Sequence, residues 1–223
     1  MGYFAFMHTV IKKIVEQGLS DRIIKVSQLN RVIDGSSSRR YGLVNRALKS
    51  GELLRLQRGV YILADRYRSY SIHPFSMAQA LVVGSYISFE TALSFHGWIP
   101  EKVYTTSSVV SGRKSKQYVS AQFGSFSFNS LAMEPGFFLE LVERIQVDGQ
   151  TALVAKPCRA LMDLVCFRKV IWQGMGWFEK GLRIDIKSLK SITREDIIIL
   201  KKLYKHKRVQ SFLSSLALEL NID

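Results

Sequence analysis

The spacing of apolar residues predicts a helix at the start of the chain. Phe6, Met7, Val10, Ile11, Ile14 and Val15 follow the i, i+3, i+4, i+7 pattern of an amphipathic helix, while Lys12, Lys13, Glu16 and Gln17 take the other face. Gly18 is the expected stop. A short extended piece, RIIKV, comes next. It leads into a helix over QLNRVI, which Ser27 is expected to cap and Asp34–Gly35 to end. Ser36, Ser37 and Ser38 then open a second helical run, in which Leu43, Val44, Ala47 and Leu48 form the inward stripe before Gly51 closes it. In ELLRLQRGVYILAD, the apolar Leu54, Leu56, Val60 and Ile62 and the β-formers around them predict two short strands joined by a tight turn at QRG.

Helix, short strand, helix, helix and hairpin, in that order within about 65 residues, is the plan of a winged helix-turn-helix. The helix pair is too short to bury its own apolar faces, so the first helix and the hairpin must close the core. We place this domain at residues 1–68, with a polar, aromatic linker over 67–76 leading into a second domain, 69–223. HPFSMAQALVV reads there as a helix with Pro74 in its first turn, and SFETALSFHG as another, capped by Ser88 and closed by Gly97 and Pro100. Residues 103–128 alternate as strands do, with SGRKSK as an exposed turn. Strand-like runs continue through residues 137–155, broken at Asp148–Gly149, and KPCRALMDLVCFRKV is helical again from near Pro157. Two helices are expected in 183–223, one over REDIIILKKLYKHK capped by Thr193 and one over VQSFLSSLALEL. The expected class is α+β, a winged helix-turn-helix followed by a mixed α/β domain whose last ~50 residues are helical.

Composition narrows the function classes. With 47% of its 223 residues apolar and 22% charged, the chain has enough apolar content for a core and is not a disordered basic tail. No uncharged apolar run reaches the ~18 residues of a membrane span. The aromatic residues of MGYFAFMHTVIKK precede its basic pair, the reverse of a secretory signal, so a cytoplasmic protein is expected. Cys158 and Cys166 are too few for a disulfide scaffold or a thiolate zinc site, and we read them as buried, inert thiols.

The net charge of +14 is unevenly placed. Residues 1–70 hold 13 basic and 5 acidic residues, 71–150 hold 5 and 6, and 151–223 hold 14 and 7. Two basic ends flank a near-neutral middle, a distribution that favours polyanions through long-range attraction and counterion release.

The best-placed cations share a helix face. With Leu43, Val44, Ala47 and Leu48 turned inward, the opposite face carries Ser38, Arg39, Gly42, Asn45, Arg46 and Lys49 and no acid. Arg matches guanine O6/N7 and Asn matches adenine N6/N7, each through two hydrogen bonds, so this face suits double-stranded DNA. Ser37 and Ser38 stand at the helix N-terminus, where free amides and the dipole favour a phosphate. Arg40 lies nearer the core side and suits a backbone contact or packing. Arg55, Gln57 and Arg58 would sit on the wing beside phosphate or minor groove. Arg113, Lys114 and Lys116 are secondary candidates for phosphate contact. The plain alternative for each group is a solvated basic surface. For the run Lys201, Lys202, Lys205, His206, Lys207 and Arg208, the plain reading is the outer face of an amphipathic helix.

Signals for catalysis are poor, and neither a metal nor a cofactor is implied. His8, His73, His96 and His206 are too scattered for a metal cluster, and no GxxxxGK[ST], GxSxG or HExxH occurs. His96 reads as a buried, hydrogen-bonded histidine, and Asp163 as a structural acceptor on an apolar helix. Glu140, Glu143, Asp148 and Asp163 lack the spacing of a nuclease carboxylate set.

Four blocks resemble the AbiEi-family antitoxins, the regulator half of abortive-infection type IV toxin–antitoxin pairs. They are LVNRALKSGELLRLQRGVYIL, YISFETALSFHGWIPEKVYTT, FGSFSF and LVAKPCRALMDLV, in the family's order, and together they cover roughly residues 20–170. The resemblance implies an N-terminal winged helix-turn-helix and a C-terminal α/β antitoxin domain. It also implies binding to inverted repeats in the protein's own promoter, negative autoregulation, and opposition to a nucleotidyltransferase-like toxin without a firm requirement for contact. The chain departs from the family at Pro157–Cys158, where members often have Pro-Glu.

The leading expectation is thus a sequence-specific DNA-binding repressor and antitoxin. The alternatives are an interaction protein that binds an acidic partner or the toxin directly and uses the winged helix only for packing, and an enzyme, for which the sequence offers no organised site.

Overall fold

The computed structural model describes residues 9–222. Helices and sheets are mixed throughout, giving an α+β chain, and it divides into two compact units with the chain boundary between Leu81 and Val82. Among the described residues, no helix is long and apolar enough to cross a membrane.

The first unit contains α1 (Thr9–Glu16), β1 (Ile24–Lys25), α2 (Val26–Val32), α3 (Ser37–Lys49), β2 (Leu53–Gln57), β3 (Val60–Leu63) and α4 (Pro74–Leu81). The expected first helix is present from Thr9, whereas Phe6, Met7 and His8 lie outside the described residues. Its stripe of Val10, Ile11 and Ile14 is fully buried, as amphipathic spacing requires. A three-stranded antiparallel sheet, ordered β1-β3-β2, closes the other side of the core. Leu29, Ile33, Ala47, Leu53, Tyr61 and Leu63 complete that core, with half-buried Leu43, Val44 and Leu48 packed against it.

Ser27 does not cap α2. The helix starts two residues earlier, at Val26, Lys25 occupies the cap position, and the Lys25 N–H donates to Gln28 Oε1 at 2.8 Å. Ser36 does cap α3, accepting from the Arg39 N–H at 3.3 Å.

Glu52, only 4% exposed, fastens α3 to the hairpin. Its carboxylate accepts from Tyr67 Oη at 2.7 Å and from Ser50 Oγ at 3.1 Å. Its backbone N–H donates to Ala47 O at 3.0 Å, and its carbonyl accepts from the Ala64 N–H at 2.9 Å. One buried residue thereby joins the end of α3, the start of β2 and the exit of β3. The sequence places a domain boundary near residue 68, but α4 groups with the first unit, where Gln57 Nε2 donates to Leu81 O at 3.0 Å.

In the second unit, the strands β4 (Tyr86–Ile87), β5 (Thr105–Val110), β6 (Lys116–Ser120), β7 (Gly124–Ser130), β8 (Val142–Val147) and β9 (Gln150–Ala155) form one six-stranded sheet, ordered β6-β7-β5-β4-β9-β8. The β5/β7 and β4/β9 pairs are parallel and the others antiparallel. The helices are α5 (Phe89–Phe95), α6 (Pro157–Phe167), the single turn α7 (Ile186–Leu189), α8 (Arg194–Leu203) and α9 (Lys207–Glu219). Pro157 opens α6, where its missing N–H costs nothing.

A polar cluster lies at the centre of this unit. Arg159 and Asp163, one turn apart on α6, are both fully buried, and Arg159 Nε donates to Asp163 Oδ1 at 3.0 Å. Asp163 also accepts from Tyr204 Oη at 2.7 Å, Ser88 Oγ at 2.6 Å and Tyr86 Oη at 3.0 Å. Arg159 donates further to Tyr86 Oη and to Glu140 O, the latter at 2.6 Å. Burial, reinforced by the Asp163 charge, pushes both phenols well above their ordinary pKa, which keeps them as donors.

This cluster overrides two local signals. Ser88 sits at the cap position of α5, but its hydroxyl serves Asp163 rather than the helix. The helix expected over REDIIILKKLYKHK stops at Leu203, although Thr193 caps it as expected, accepting from the Asp196 N–H at 3.1 Å. Tyr204 turns into an extended conformation, bridges to Met133 and delivers its hydroxyl to Asp163. The basic run is therefore not one helix face, since Lys201 and Lys202 end α8 while Lys207 and Arg208 open α9. It turns a corner between α8 and α9, and Arg208 reaches inward to Val165 O (3.1 Å), Cys166 O (3.2 Å) and Val170 O (2.7 Å) at the end of α6.

Removing the carboxylate leaves the Arg159 charge buried and unbalanced. Asp163→Ala is expected to lower stability by about 3–5 kcal/mol, read from urea unfolding followed by circular dichroism. A loss under about 1 kcal/mol, the size of an exposed pair, would contradict this view of the cluster.

Candidate nucleic-acid interface

The surface of α3 follows from the position of Ala47, its buried residue. At 100° per residue, Ser38, Gly42, Asn45 and Lys49 fall on the opposite side, Arg39 and Arg46 flank them on one edge, and Tyr41 flanks them on the other. Exposure agrees with this projection. Ser37, Ser38, Arg39, Tyr41, Arg46 and Lys49 are exposed and Asn45 is half-buried. Arg40 turns toward the core side, where its Nε is enclosed without a hydrogen-bond partner among the described residues.

The turn leading into α3 is shaped around Arg39. Gly35 has a φ of +106°, and a Cβ built there would lie 2.8 Å from Arg39 Cδ. Any other residue would be strained and would displace the arginine. Beyond the Ser36 cap, no hydrogen bond from the Ser37 or Ser38 backbone N–H is present among the described residues, so both donors face outward at the positive end of the helix dipole.

The hairpin adds Arg55 on β2 and Arg58 at the turn, both exposed. Gly59, at φ +79°, supplies the left-handed residue of this two-residue turn. Gln57 does not stand with the arginines. A bulge at Leu56 breaks the strand alternation that would have put residues 55 and 57 on one face, and the Gln57 amide is held by Leu81 O.

The acids of the first unit have partners of their own, although Asp34 also feels the Arg39 charge. Glu16 lies 4.0 Å from Lys12, Asp21 accepts from the Ser69 N–H at 2.6 Å, and Glu52 is buried. Asp65 pairs with Arg68, and Asp34 pairs with Lys13. The Lys13 hydrogen bond and charge hold the Asp34 carboxyl below the usual range. Arg39, Arg46, Lys49, Arg55 and Arg58 make no ion pair among the described residues, which gathers five exposed cations on α3 and the hairpin; exposed Arg22, Lys25 and Arg31 are likewise without one.

Arg113, Lys114 and Lys116 belong to the second unit, on the exposed turn between β5 and β6 and at the start of β6. β6 is an edge strand, where a lysine also discourages pairing with another chain.

The remaining chemical groups are not gathered into a site. His96 is half-buried, with Nε2 2.9 Å from Ala155 O. Glu140, Glu143 and Asp148 are exposed while Asp163 is buried and fully bonded. No metal-binding group of His, Cys, Asp and Glu occurs among the described residues. Both cysteines are buried and unpaired, and burial pushes Cys158 up to about 12 and Cys166 up to about 11.

No protein-family model matches the chain, and no curated protein matches it.

Two outcomes test this placement. Both thiols should resist iodoacetamide at pH 8 in the native protein and react fully in guanidinium, and fast native labelling would contradict their burial. Gln57→Ala should cost about 1 kcal/mol of stability, the worth of one hydrogen bond, whereas an unchanged unfolding midpoint would return Gln57 to the exposed side of the hairpin.

Proposed function

We propose that the first unit is a winged helix-turn-helix that binds double-stranded DNA. In this reading α2 and α3 are the helix pair, α3 enters the major groove, and the β2–β3 hairpin is the wing. The observation that carries it is the acid-free face of α3, where Arg39, Arg46 and Lys49 are exposed around Asn45 and make no ion pair among the described residues. Arg55 and Arg58 extend the same charge onto the hairpin. Asn45, Arg39 and Arg46 carry the base-reading chemistry. Lys49, the wing arginines and the outward amides of Ser37 and Ser38 suit phosphate. Arg113, Lys114 and Lys116 are secondary phosphate contacts in this proposal.

We further propose, from the resemblance to AbiEi-family antitoxins, that the chain is a cytoplasmic repressor of its own promoter and the antitoxin of a type IV pair. Its operator would be an inverted repeat, its functional counterpart a nucleotidyltransferase-like toxin, and the second unit its α/β antitoxin domain. We assign the chain no catalytic role and no cofactor.

Selection from a random duplex pool should enrich a discrete sequence. Arg39→Ala, Asn45→Ala and Arg46→Ala should each weaken binding to it by about 1–3 kcal/mol and relax one position. Arg55→Ala and Arg58→Ala should weaken all duplexes alike and lower the slope of log K against log salt by about 1 each. No enrichment, or toxin co-purification that survives loss of residues 1–70, would favour the interaction protein instead.

A further inference from the structure

Tyr41 is the most exposed large apolar side chain described in the first unit, at 71%, against 47% for Val26 and 45% for Tyr70. It is the aromatic residue of α3, and its Oη has no hydrogen-bond partner among the described residues. A tyrosine that served to cover the half-buried edges of Val44 and Leu48, one and two turns further along, would itself be largely covered. Tyr41 instead stands out from the edge of α3 opposite Arg39 and Arg46, one turn before Asn45.

We infer that Tyr41 is a specificity-determining residue whose ring packs against a thymine C5-methyl group in the major groove. The inference rests on the reading of α3 as the helix that enters that groove. A helix about 10–12 Å across fits a groove about 12 Å wide, and Tyr41 lies only about 40° around α3 from Asn45, so both side chains can face the groove floor where the base edges lie. The thymine methyl is the apolar feature the groove offers, and an exposed ring gains by covering it. Four residues of helix rise about 6 Å, which spans less than two base-pair steps of about 3.4 Å. The thymine therefore lies within two base pairs of the adenine read by Asn45.

The test uses the full chain and the duplex it selects, with each thymine replaced singly by uracil, a change that deletes only the methyl group. Asn45→Ala locates the adenine by the position it relaxes. At one thymine within two base pairs of it, uracil should weaken the wild type and Tyr41→Phe about four-fold, the worth of one buried methyl. Tyr41→Ala should bind thymine and uracil duplexes equally there, with a circular dichroism melt confirming its fold. The inference is overturned if no thymine shows this coupling, or if Tyr41→Phe loses it as Tyr41→Ala does. A selection that enriches no sequence would instead sink the DNA-binding reading, and this inference with it.

Discussion

A carboxylate withdrawn from water must have its lone pairs filled, and each unit of this protein is organised around one that obeys that constraint. In the second unit, Asp163 accepts from Arg159, Tyr204, Ser88 and Tyr86, drawn from α6, the α8–α9 corner, the start of α5 and β4. In the first, Glu52 accepts from Tyr67 and Ser50 while its backbone bonds Ala47 and Ala64. Apolar packing favours burial in many arrangements. A buried charge accepts few, so these two acids select the geometry in which α3 meets its hairpin and α6 meets its sheet.

The first unit was largely legible in the chain. Its stripes at Val10, Ile11 and Ile14 and around Ala47, its cap at Ser36 and its turn at Arg58–Gly59 are local patterns that packing reinforces. What escaped reading depends on contacts distant in sequence. Gln57 looked like a wing residue because a bulge at Leu56 cannot be inferred from alternation, and its bond to Leu81 spans 24 residues. Ser88 looked like a cap and REDIIILKKLYKHK like one helix because nothing local announces that Asp163 claims the Ser88 and Tyr204 hydroxyls. Asp163 itself was readable as a structural acceptor from its place on an apolar helix, though its partners were not.

The two units treat charge in opposite ways. The second encloses an arginine and an aspartate and sends Arg208 inward to the carbonyls that end α6, which takes part of its basic excess out of contention for a partner. The first engages its acids, with Lys13 on Asp34, Arg68 on Asp65 and a buried Glu52, and among the described residues five exposed cations of α3 and the hairpin make no ion pair. Those cations carry the proposed function. In that proposal, Asn45 and Tyr41 among them would let the surface distinguish one duplex from another.

Hydrogen–deuterium exchange of the full chain, with and without its selected duplex, tests the central claim most directly. The account predicts slowed exchange in α3 and at the Arg58–Gly59 turn on binding. Protection confined to the second unit, with α3 unchanged, would contradict it.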